Sequence, residues 1–73
     1  MTDFELEKAV ISAVEQGATT SMLVTSLLRS QYPAENVYYD QIHQVVWRLI
    51  GRGRLDIAEG RKLVVPTKKG KGK

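Results

Sequence analysis

The chain has 73 residues, a net charge of +3, a single histidine and no cysteine. Disulfides, a thiol nucleophile and cysteine-ligated metal are therefore excluded, and His43 does not build a metal site by itself. A chain this short supports one small apolar core, so one domain over residues 1–66 is expected, followed by a basic, disordered tail over 67–73 that has no apolar group to bury.

Thr2-Asp3-Phe4-Glu5 fits a capping box, in which a threonine hydroxyl and a glutamate satisfy each other's backbone N–H groups. Leu6, Ala9, Val10, Ala13 and Val14 then make one apolar stripe, with Gly17 placed as C-terminal cap, which predicts a first helix over about 3–16. Phe4 and Ile11 fall on its outer side, where they either cover the edge of the core or form a homodimer seam. Ala18-Thr19-Thr20-Ser21 reads as a short extended stretch that caps the next helix or adds a strand to a sheet. Leu23, Val24, Leu27 and Leu28 predict a second helix over about 21–31, with Met22, Thr25, Ser26 and Arg29 outward. Tyr32-Pro33 ends it, 33–36 is a loop by residue type, and Val37-Tyr38 leads apolar surface back to the core.

The third helix is the strongest signal. Ile42, Val45, Val46, Leu49 and Ile50 recur at helical spacing, and Gly51 and Gly53 end the run with Arg52 and Arg54 near the negative end of the dipole. Leu55-Asp56-Ile57 and Leu63-Val64-Val65 flank a polar, glycine-containing tip and read as a β-hairpin. Charge is divided along the chain. Residues 1–47 carry Lys8 and Arg29 against six carboxylates, a balance of −4, whereas residues 48–73 carry nine cations against Asp56 and Glu59, a balance of +7. With the four lysines of 68–73 set aside, the helix end and hairpin still stand at +3. Such a distribution orients an encounter with a polyanion before contact.

The run Ile42-His43-Gln44-Val45-Val46-Trp47-Arg48-Leu49-Ile50-Gly51-Arg52-Gly53-Arg54-Leu55, within the order helix, extended stretch, helix, loop, helix, hairpin, resembles the winged helix-turn-helix family over about residues 3–66. The resemblance implies an α+β fold, a three-helix winged helix-turn-helix with a C-terminal two- or three-stranded antiparallel β-hairpin wing. It also implies double-stranded DNA as partner, with the third helix in the major groove and the wing on backbone or minor groove. On this sequence the outward face of that helix presents Tyr39, Gln41, Gln44, Trp47 and Arg48. Gln41 and Gln44 carry the amide pair that bonds adenine bidentately, and Arg48 suits guanine or phosphate. Asp40 repels phosphate and favours the helix dipole instead. His43 borders the apolar face and is expected to be packed. Trp47 is expected either to meet a partner or to be covered by the hairpin or the tail. Arg61 and Lys62 at the wing tip are the first candidates for phosphate or minor-groove contact, followed by Arg52 and Arg54. The helix has no cation in its first two turns, so wing and helix end are expected to carry the affinity.

The functional expectation is a small transcriptional regulator or accessory DNA-binding factor; the alternative is a winged-helix protein-interaction module that does not read DNA. No catalytic residue, cofactor, metal or small-molecule substrate is assigned, because no nucleophile–base order, phosphate-binding glycine loop or carboxylate cluster stands out. The opening Thr2-Asp3 and the short apolar runs are read as neither signal peptide nor membrane span, which leads to the expectation of a cytoplasmic or nucleoid-associated protein.

Overall fold

Thr2 starts the first helix, α1 (Asp3–Glu15), through the reciprocal capping box: the Glu5 N–H donates to Thr2 Oγ1 at 3.1 Å and the Thr2 N–H donates to Glu5 Oε1 at 3.0 Å. The computed structural model describes residues 2–66, and expectations for the Lys68–Lys73 tail lie outside them. The Thr2 N–H bond is the main cause that lowers the Glu5 pKa. A carboxylate whose folded pKa is depressed adds stability above the ordinary carboxylate range and loses it as pH falls through that range. Acidification is therefore expected to lower the thermal midpoint of the wild type more than that of Glu5→Gln, which keeps an acceptor but no titrating group. Parallel pH profiles for the two proteins would refute this.

The helix α1 and the third helix, α3 (Tyr39–Gly51), end in the same way. The Gly17 N–H donates to Val14 O and the Ala18 N–H to Ala13 O, while the Gly53 N–H donates to Ile50 O and the Arg54 N–H to Leu49 O. Both are Schellman turns, and both need left-handed backbone at the glycine, φ 109° at Gly17 and 76° at Gly53. Between them, α2 (Ser21–Gln31) is capped by Thr20, whose Oγ1 accepts from the Leu23 N–H.

The stripes predicted for α1 and α3 are buried as expected, except that Ile50 is only half-buried. The inner face of α2 differs from its prediction. It runs Ser21, Val24, Thr25, Leu28 rather than through Leu23, which is 48% exposed, while Leu27 is half-buried. Thr25 turns inward without penalty because its hydroxyl donates to Ser21 O at 2.8 Å. Val37 closes the core as expected, its carbonyl held by Arg29 Nε at 2.8 Å, but Tyr38 faces solvent. On α1, Ile11 packs against the core and only Phe4 stands clear, with Lys8 Nζ 5.1 Å from its ring centroid.

After α3, Leu55 re-enters the core and the chain forms an antiparallel pair, β1 (Asp56–Ala58) and β2 (Lys62–Val64), with Ile57 opposite Leu63 and Ala58 opposite Lys62. The sheet has two strands; the third strand considered at Ala18–Ser21 contributes one backbone bond, Leu63 N–H to Thr19 O at 2.8 Å. That bond ties the hairpin to the α1–α2 connection. Three helices followed by this hairpin make an α+β fold of winged-helix layout. Among the described residues, no helix is long and apolar enough to cross a membrane.

Candidate nucleic-acid interface

An α-helix turns about 100° per residue, so the exposed residues of α3 separate into three strips around its buried stripe. Asp40 and Gln44 point directly away from the core; both are exposed, and neither has a hydrogen-bond partner among the described residues. Gln41, Arg48 and the capping residue Arg52 lie along the flank beside α1. Tyr39, His43 and Trp47 follow one another along the opposite flank, beside α2 and the hairpin. The residues expected to form one outward face thus divide between two sides of the helix.

The α1 side is electrically closed. Glu7, with a side chain only 13% exposed, accepts from Arg52 Nη1 at 3.2 Å and lies 3.5 Å from Arg48 Nη1. The two arginines of the helix end are thereby drawn towards the acidic helix. Arg52, expected near the α3 carboxyl end and among the phosphate candidates, caps the helix with its backbone while its guanidinium serves Glu7. With Lys8 over Phe4 and Arg29 on the Val37 carbonyl, the cations with no partner among the described residues are Arg54, Arg61 and Lys62, all in or beside the hairpin. Asp56 and Glu59 share that hairpin; the Asp56 carboxylate accepts from the Ile57 N–H at 2.8 Å.

The tip of the hairpin is shaped by two consecutive left-handed residues, Gly60 at φ 78° and Arg61 at φ 60°. Glycine adopts this region freely, whereas a residue with a Cβ is held there at a cost of about 1–2 kcal/mol. Residues opposite each other in a ladder share a sheet face, so Ile57 and Leu63 look towards α3 while Lys62 looks away. Arg61 lies over the α3 side.

On that side a groove of about 790 Å³ opens between the start of α2, the aromatic flank of α3 and the hairpin, lined mainly by apolar side chains with Arg61 as its cation. Its floor is ordered by a chain of polar contacts. Trp47 Nε1–H donates to His43 Nε2 at 2.9 Å, and His43 Nδ1 is 3.1 Å from Ser21 Oγ. An indole nitrogen only donates, so Nε2 must present its lone pair and the imidazole proton sits on Nδ1, donating to Ser21. Both ring nitrogens are thereby occupied, and the contacts hold Ser21, His43 and Trp47 in a fixed arrangement. Tyr39 stacks on the same imidazole, centroids 5.5 Å apart, and Trp47 meets it edge-on at 6.0 Å.

Trp47 is 52% exposed and lines the groove beside the hairpin, so among the described residues the hairpin does not cover it. Sequence reasoning treated His43 as a packing residue and passed over Ser21, Met22 and Ile57 as site components. The spacing of 39, 43 and 47 signals one flank, but the Ser21–His43 contact spans 22 positions and has no local signature. No family model, curated protein or solved structure matches the chain.

Proposed function

We propose that the chain is a double-stranded DNA-binding domain of the winged helix-turn-helix family, a small regulator or accessory factor. Its wing supplies phosphate affinity, and the outward strip of α3 enters the major groove. The observation that carries this reading is that the cations left unpartnered among the described residues, Arg54, Arg61 and Lys62, gather in or beside the hairpin that a winged helix lays on DNA. The lysines of the sequence after Pro66 add to the same end of the chain. Asp40 and Gln44 on the outward strip make base reading modest, since one repels phosphate and the other offers a single amide.

Affinity for a random-sequence duplex, measured by anisotropy across a salt series, tests this. Each phosphate contact adds about 0.9 to the slope of log affinity against log salt, so Arg54 and Arg61 together give a slope of about 1.8 and Lys62, on the other face of the hairpin, raises it to about 2.7 if it also reaches phosphate. A weak interaction indifferent to salt sinks the reading in favour of a protein-interaction module, for which the apolar groove beside Trp47 is the specific support.

The closed α1 side makes a further expectation. Glu7→Gln frees Arg48 and Arg52 and is expected to tighten duplex binding and steepen its salt slope. The arginine ends of these pairs are 40% and 57% exposed and glutamine keeps an acceptor at the half-buried Glu7 position, so the fold is expected to lose on the order of 1 kcal/mol. A slope equal to that of the wild type would place both arginines away from the DNA.

A further inference from the structure

We infer that the groove between α3 and the hairpin is a binding site for an unpaired nucleotide, whose base stacks on Trp47 and whose phosphate pairs with Arg61. The inference deepens the DNA reading and rests on it for the identity of the polyanion.

Three observations support it. The indole N–H of Trp47 is already satisfied by His43 and the residue is 52% exposed, so the ring brings aromatic surface and no unmet donor to the groove. The ring is also fixed in advance, since His43 is itself held between Ser21 and Tyr39 and a base meeting it finds an ordered platform. Finally, among the described residues the charge of the lining is one-sided: Arg61 is its cation, no carboxylate lines it, and Arg61 has no partner. An exposed aromatic ring and an unpartnered guanidinium lining one groove are the elements that single-stranded sites combine, stacking for the base and charge for the backbone. An acidic peptide would satisfy Arg61 but make no special use of the exposed indole ring. The left-handed backbone of Arg61 fits the same purpose, since it holds a cation on the groove side while its neighbour Lys62 faces away.

The single tryptophan of the chain makes the site directly observable. With the full-length protein, oligo(dT) is expected to quench Trp47 emission saturably, and a duplex carrying a short single-stranded overhang is expected to bind more tightly than its blunt counterpart. Oligo(rU) in the same titration separates the two sources of an unpaired pyrimidine nucleotide. In anisotropy with labelled oligo(dT), Trp47→Ala is expected to lose roughly 5- to 150-fold in affinity, the range for losing one stacked base, and Trp47→Phe much less. Circular dichroism establishes that both variants are folded.

Blunt duplex bound with the expected salt slope, but no quenching by either oligonucleotide and no gain from the overhang, overturns the inference and leaves the DNA reading intact. If neither duplex nor oligonucleotide binds, both fall. Quenching by a glutamate–leucine peptide in the absence of quenching by oligonucleotide reassigns the groove to protein docking and also overturns the inference.

Discussion

Leu49→Ala is expected to remove much of the stability of the domain, whereas Leu23→Ala changes it little. Leu49 is fully buried on α3, facing the other two helices. Truncating such a leucine costs about 2–5 kcal/mol, from lost transfer energy and from the cavity left behind. A domain of this length holds about 4–11 kcal/mol in total. The position also matters beyond its side chain: the Leu49 carbonyl accepts from Arg54 N–H at 2.8 Å and from Leu55 N–H at 3.3 Å, the bonds that turn the chain out of α3 and into the hairpin. A cavity under that turn loosens the wing as well as the core. Leu23, at 48% exposed, has no such role, and its truncation is expected to stay within about 0.5 kcal/mol. Urea titration of the two variants checks the contrast. Equal midpoints would mean that the inner face of α2 runs through Leu23 after all.

Local signals in the sequence mapped onto structure closely, because the forces behind them act over a few residues. The capping box at Thr2–Glu5 and the glycines 17 and 53 that close two helices satisfy backbone groups within the same turn, and the glycine at the hairpin tip supplies its left-handed backbone locally. The stripes of α1 and α3 were legible for the same reason, one helix face being one interval of spacing. What α2 buries was not legible, since Thr25 and Leu23 compete for the interior and the outcome depends on a hydroxyl finding the Ser21 carbonyl. The site was readable in its parts and not in its arrangement. Arg48 and Arg52 looked like free cations; Glu7, 41 and 45 positions earlier, claims them both. No pattern of spacing connects residues so far apart, and only the packing of α1 on α3 brings them together.

Arg61 provides the sharpest test of the wing, because stability and binding are expected to move in opposite directions there. Its φ of 60° strains a residue with a Cβ, and glycine relieves that strain at the expense of a more flexible unfolded chain. The difference leaves Arg61→Gly more stable than the wild type by about 0.5–1 kcal/mol. The same change removes a cation from the wing, so the duplex salt slope falls by about 0.9. Arg61→Ala keeps the strain and loses the charge, giving the lower slope without the gain in stability. Adding Lys62→Ala, on the other face of the hairpin, is expected to take the total fall to about 1.8 if both faces reach phosphate and to leave it near 0.9 if only the α3 side does. The loss should be similar for every duplex sequence, since phosphate contacts carry no base information. An unchanged slope in the double variant removes the wing from the mechanism. A destabilised Arg61→Gly would instead show that the guanidinium makes contacts that outweigh its backbone strain.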